Sequence, residues 1–499
     1  MRGSGALAAC LLAGCAQLFG LQETSGATGD GTAADASPTS VTMEIQRISI
    51  GTTAARSAYD VSQLPANFLV PDTSAAGFKR VKAAAAGDTW SAEIPEGMPA
   101  MEITLGLDLP DPFRRLYALP QRNQKVLYGI YEQPNAPAAP ANGALAVTIN
   151  LPTAIDPSES YQLYSVGSWA NHGFTPTTDF TVGTGVISAT VPFNATLWGN
   201  ISGRPFTKIT SADEMLALRY VAAQLTGAAE FAPFDQSDTT STIAATMTAV
   251  AAAPMDVHVS PTNINGRLAM PTPKGTSLAM NWSLNAAPGS EIANGAGPQL
   301  EAGGVALADS GALALPFGNP FAAKGWKSTF TWATSNGRAF AVPGLQNLVG
   351  TFYCGLNEIA EYSPGLTLDT PAALPVLVSI NSMTLATDGQ SIPIDPTKPV
   401  TLSLVADKTD ATFYQFNIYE LRVNAAATAL ETHVAYVAIT PTPMVTVPND
   451  VFVTGKTYFI RGHSIKGGYP SFAQGNFWDR NLPYSVGFLD AGVFTVTAP

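Results

Sequence analysis

From residue 42 onward, apolar and polar positions alternate in short runs. The runs are rich in Val, Ile, Thr, Phe and Tyr, and Pro, Gly, Asn and Asp separate them. This is the period-two pattern of strands joined by turns. It predicts strands over Thr42–Ile50, Ala144–Leu151, Val186–Val191, Val400–Val405, Tyr414–Leu421 and Val434–Ile439. One segment departs from it. Ser211 and Glu214 have the spacing of a capping box, Met215, Leu218, Ala222 and Leu225 recur on one helical face, and Gly227 would close the C-terminus. The spacing predicts a helix over 212–226, which would cover an open sheet edge or meet a partner. The fold class expected is all-β: several β-sandwiches in tandem with one short helix.

Shifts in composition divide the chain. Small-residue and proline clusters at 135–142, 251–254 and 370–375 mark joints. They predict β-rich units at 42–134, 143–255, 256–372 and 373–499, the second carrying the helix. The first two could equally be one larger sandwich with 136–141 as an internal loop. No solenoid period of 34 or 40 residues is visible.

Composition narrows the function classes. Of 499 residues 46% are apolar, ample for cores, and only 12% are charged. The net charge is −12 with 25 Lys and Arg, and no basic cluster stands out. This argues against nucleic acid and against electrostatic docking on anionic lipid. Three Cys and four singly placed His (172, 258, 433 and 463) give no metal-ligand spacing. No cofactor is implied.

The first residues carry an address. One Arg precedes a short apolar run, too short to span a bilayer, that ends Leu12-Ala13-Gly14-Cys15. This resembles a bacterial lipobox. The resemblance implies a signal peptide over 1–14, cleavage before Cys15, and lipidation of its thiol. Ala16 stands where an inner-membrane retention signal would usually be Asp, which implies the outer membrane. Residues 15–41 then read as the lipidated Cys and a flexible tether, rich in Gly, Ala, Ser and Thr, spanning roughly 25–30 Å on average. Cys10 would leave with the signal and Cys15 would be a thioether. Cys354 alone would remain, so no internal disulfide is available. It lies in the apolar run Thr351–Leu356 and reads as a buried small hydrophobe.

The C-terminal unit is the most legible. Val400, Leu402 and Leu404 share one face of a strand, and Tyr414, Phe416 and Ile418 share one face of the next. Gly455 shortly precedes Tyr458, which opens a penultimate strand. Together these resemble a fibronectin type III or immunoglobulin-like sandwich. The resemblance implies a tyrosine corner, with the Tyr458 hydroxyl bonded to nearby backbone, and a last strand over Ser485–Val496. It departs from the pattern in lacking an early core Trp and a disulfide pair. A weaker version of the same grammar occurs at Ala146–Tyr164.

Candidate chemistry is sparse. There is no Gly-x-Ser-x-Gly elbow, no phosphate loop and no dinucleotide fingerprint. Ser168 and His172 share one loop without a nearby carboxylate. Paired carboxylates for glycoside hydrolysis would lie far apart in sequence and stay open. Recognition points to the long connection 467–484, where Tyr469, Phe472, Phe477, Trp478 and Tyr484 stand among Asn, Gln, Asp and Arg. Such rings suit a sugar or protein ligand, or they plug the end of the sandwich or pack on a neighbouring unit. The sequence therefore predicts a lipid-anchored outer-membrane protein, periplasmic or surface-exposed. Its role would be non-catalytic, in structure, adhesion or binding of a carbohydrate or protein. The alternative is an extracytoplasmic carbohydrate- or peptide-acting hydrolase.

Overall fold

The computed structural model describes residues 40–50, 54–72, 77–95, 97–105, 111–119, 121–131, 139–140, 143–166, 170–174, 179–193, 198, 207–259, 261–275, 277–287, 297–304, 311–368, 371–477 and 481–499. Cys15, the tether to residue 39, Ser168 and Trp478 lie outside them. The described chain is all-β, in several sheets. The strands expected from alternation are present with ends shifted by at most four residues: Ser40–Ile50, Ala144–Asn150, Val186–Pro192, Val400–Ala406, Phe413–Val423 and Leu430–Thr440.

Residues 143–250 form a sandwich with its own core. One sheet orders Val186–Pro192, Ala144–Asn150 and Thr240–Thr246. The other orders Ala170–Gly173, Glu159–Ser165, Met215–Val221, Gln224–Glu230 and Thr248–Ala249. Leu145, Val147, Ile149, Tyr161, Leu163, Ala217 and Ile243 fill the space between.

The helix expected over 212–226 is not formed. That stretch is a β-hairpin, Met215–Val221 paired antiparallel with Gln224–Glu230. The reason is burial on both sides. Met215 and Ala217 point into the sandwich core, while Leu216, Leu218 and Tyr220 belong to the core shared with the rest of the chain. A strand covered on both faces is apolar throughout, and such a run satisfies helical and extended spacing equally. Glu214, read as a capping-box residue, pairs with Lys324 instead. The α-helix among the described residues is Pro261–Leu268. It starts on a proline, which costs the first turn no hydrogen bond. It is pinned by buried Arg267, whose guanidinium holds Asp407, with Nη2 to Oδ1 at 3.0 Å, and donates to the Ala372 carbonyl at 2.6 Å.

The C-terminal unit has the expected sandwich. Met383–Thr384, Pro375–Ile380, Val400–Ala406 and Met444–Val447 make one sheet. Phe413–Val423, Leu430–Thr440, Thr457–Gly467 and the terminal strands lie in the other. Val400, Leu402, Leu404, Phe416 and Ile418 are buried. The tyrosine corner is present: the Tyr458 hydroxyl accepts from the Val453 N–H at 3.1 Å. The last strand is split in two, Tyr484–Asp490 and Phe494–Thr497.

Hydrogen bonding crosses the expected unit boundaries. A 14-stranded sheet runs through Gln299–Gly304, Ser277–Ala287, Lys327–Ala341, Val349–Glu361, Tyr484–Asp490, Thr457–Gly467, Phe413–Val423, Leu430–Thr440, Phe113–Tyr117, Ala100–Leu105, Ala66–Asp72 and Gly77–Lys82, with Phe494–Thr497 and Gln390–Pro393 branching from Thr457–Gly467. Val349–Glu361 joins 256–372 to the C-terminal sandwich by antiparallel pairing with Tyr484–Asp490. Phe113–Tyr117 joins the N-terminal segment to it by parallel pairing with Leu430–Thr440. Alternation locates strands, but it does not say which strand pairs with which. The N-terminal segment adds a second layer, in which Ser40–Ile50 lies between Thr89–Glu93 and Asn123–Tyr131 and buries Val41, Met43 and Ile45 near Trp90.

Candidate functional site

The described parts of the connection, 467–477 and 481–484, fold inward. Phe472–Gln474 makes a single 3₁₀ turn, closed by Gly475 at φ +75°, where a side chain would strike Gln121. The chain then pairs Asn476–Phe477 with Lys125–Val126 of the N-terminal segment. Gly468, at φ +78°, leaves room for the Tyr484 ring. Tyr469, Phe472, Phe477 and Tyr484 are 2%, 3%, 1% and 2% exposed. Their hub is Phe413, whose ring centroid lies 4.9 Å from Phe472, 5.1 Å from Phe477 and 5.3 Å from Tyr469. Phe477 also reaches Tyr117 at 6.3 Å.

These four rings therefore present no stacking face to a ligand. The reading of them as a recognition surface is corrected to a packing cluster that seals the joint between the N-terminal and C-terminal segments. The sequence signal, aromatic density in a long loop, is common to both roles. Burial separates them.

The remaining candidates are dispersed. His172 stacks on buried Trp198 at 5.6 Å. His433 meets Asp111 at 2.9 Å. His463 is 2% exposed, and its Nε2 lies 3.1 Å from the Asn417 carboxamide. Burial, with Arg461 adding to it, holds the His463 imidazole well below its ordinary range. Cys354 is 2% exposed and its Sγ donates to the Asn336 carbonyl. Burial, then the Asp490 charge, push its thiol up to about 11, so it stays protonated at neutral pH.

Sequence reading missed the charged joints. Arg80 and Arg114 both grip buried Glu102 and half-buried Asp450, the first pair at 3.0 Å, and Tyr436 donates to Glu102 at 3.0 Å. Burial opposes ionisation of Asp450, but Arg114 and Arg80 outweigh it and hold the carboxyl below the usual range. Arg338 bridges to Asp388 at 3.0 Å, and Arg461 to Asp490 at 2.5 Å. Lys324 ties Glu214 to Glu230, the latter at 2.7 Å. Three of these eight ion pairs span more than a hundred residues and none fewer than twelve, so no local motif announces them.

No protein-family model and no curated protein matches the chain. Solved structures resemble it only distantly. A pilus adhesin, SpaC from Lactobacillus rhamnosus GG, aligns at 7% identity over 82% of this chain and 44% of its own, with a TM-score of 0.13. The FN1–FN3 domains of chicken CNTN1 align at 10% identity over 71% of this chain and 99% of theirs, with a TM-score of 0.10. Native Escherichia coli alpha-2-macroglobulin aligns at 9% identity over 92% and 28%, with a TM-score of 0.14. The chain thus spans less than half the length of the adhesin it matches.

Proposed function

We propose that this protein is a lipid-anchored component of the bacterial cell envelope with a non-catalytic role in structure, adhesion or ligand binding. The observation that carries the reading is Leu12-Ala13-Gly14-Cys15 at the end of a short apolar run. A lipidated Cys15 gains about 0.8 kcal/mol for each buried methylene of its acyl chains, and two or more chains anchor stably. The tether then leads into interlocked sandwiches. Five carboxylates support a structural role. Glu102, Asp388, Asp407, Glu420 and Asp490 are each held by an arginine, as structural carboxylates are.

Two measurements test this. Metabolic labelling with a palmitate analogue should mark the natural protein and not Cys15→Ala, which should stay at its unprocessed size and leave the membrane fraction. A Cys15→Ala form still labelled, or processed and membrane-bound, overturns the anchor. Protease treatment of intact cells, with a C-terminal tag, separates an adhesive surface role (cleaved) from a periplasmic structural role (protected until the outer membrane is opened).

A further inference from the structure

A polar cleft lies between the second sandwich and strand Gln299–Gly304. Its volume is about 280 Å³, and Ser160, Gln162, Tyr220, Ala223 and Gln299 line it. Among the described residues no charged side chain is in that lining. Ser160 and Gln162 are two residues apart and so point the same way, and Ser160 faces Tyr220 across the sheet. The Tyr220 hydroxyl donates to the Gln299 carbonyl at 2.9 Å, and Gln299 Nε2 donates to the Ala223 carbonyl at 3.3 Å. The wall of the cleft is thus braced. The Gln299 Oε1 and second N–H, the Gln162 carboxamide and the Ser160 hydroxyl remain for a ligand in the cleft.

A second observation falls at the same place. The hairpin turn Val221–Gln224 has Ala222 and Ala223 in its two central positions at φ +47° and +70°. A two-residue turn of this kind selects Asn-Gly, because side chains crowd the left-handed region. Ala-Ala keeps that conformation here while the Ala223 carbonyl is held by Gln299. Strained backbone that its surroundings hold in place clusters at ligand sites.

From these groups we infer that the cleft binds a neutral, hydroxyl-rich ligand, a saccharide unit. Each carboxamide offers a donor and an acceptor side by side, which matches the paired hydroxyls of a sugar ring. The uncharged lining offers an anion or cation no counter-charge. The volume admits one or two rings. The inference is independent of the lipid anchor, since it concerns only this cleft, and it is tested on purified protein.

The experiment is saturation-transfer NMR on the purified full chain with millimolar cellobiose, maltose and N,N′-diacetylchitobiose, and with phenyl phosphate as the anionic control. At least one saccharide should give transfer signals and the phosphate none. Gln162→Leu removes a carboxamide from the cleft without touching the Tyr220–Gln299 brace, and it should cut those signals at least five-fold with an unchanged melting temperature. Ser160→Ala should cut them about two-fold. Absence of signal from all three saccharides overturns the inference. So does signal unchanged in Gln162→Leu, or equal signal from the phosphate.

Discussion

Removing one ring tests whether the aromatic loop is core or recognition surface. Phe477 is 1% exposed, and its ring centroid lies 4.5 Å from Tyr469, 5.1 Å from Phe413, 5.2 Å from Phe472 and 6.3 Å from Tyr117. A Phe477→Ala change deletes a fully buried ring. Such changes cost about 3–5 kcal/mol, as lost transfer energy plus the cavity left behind. The upper half of that range applies here. The surrounding rings belong to three different stretches of chain, and Phe477 itself sits in a short strand paired with Lys125–Val126, so the site cannot easily collapse. The contact across the joint is read separately. A double-mutant cycle of Phe477→Leu with Tyr117→Leu should show a coupling of about 0.5–1.5 kcal/mol, the usual strength of an edge-to-face pair. Urea unfolding followed by tryptophan fluorescence gives both numbers. A loss under about 1 kcal/mol for Phe477→Ala would refute the packing argument. A loss of ligand binding with stability intact would restore the loop as a recognition site.

Three further outcomes follow from individual contacts. Tyr458→Phe keeps the ring beside Phe452 and Phe494 but strands the Val453 N–H, so urea unfolding should show a loss of about 1–3 kcal/mol. Asp407→Asn leaves the buried Arg267 charge without its counter-ion and should cost about 3–5 kcal/mol, whereas an exposed pair such as Lys398–Asp395 broken by Lys398→Ala should cost under about 1 kcal/mol. His463 is disfavoured as a cation when folded, so the unfolded chain takes its proton first. Stability contributed by the neutral ring is present above pH ~6.5 and declines as pH falls below it. Burial raises the carboxyls of Glu44, Glu214 and Glu301, which acts in the opposite direction at lower pH. The difference in melting temperature between the natural chain and His463→Gln across pH 5–8 isolates the histidine, and a flat difference would contradict its burial as a neutral group.

The C-terminal sandwich was readable because its strands are covered on the sandwich side by strictly alternating residues, Val400, Leu402 and Leu404 against Phe416 and Ile418. Its corner also needs one tyrosine at one place. The hairpin at 215–230 was misread for the opposite reason. Both its faces are buried, alternation disappears, and a helical spacing survives by coincidence of Met215, Leu218, Ala222 and Leu225. The turn offered no warning, since Ala222 and Ala223 are not turn formers.

By itself the sequence determined the all-β class, the leading strands of the C-terminal sandwich and its tyrosine corner. Each of these is set by residues near one another in the chain. Tertiary structure alone decided that the C-terminal strand Tyr484–Asp490 pairs with Val349–Glu361, that Phe477 is sealed against Tyr117, and that Glu102, Asp407 and Glu214 find their cations 22, 140 and 110 residues away. Strand pairing and ion pairing are long-range choices. They are made when apolar faces are buried together, and the backbone groups and charges carried along must then find partners among whatever the fold brings within reach.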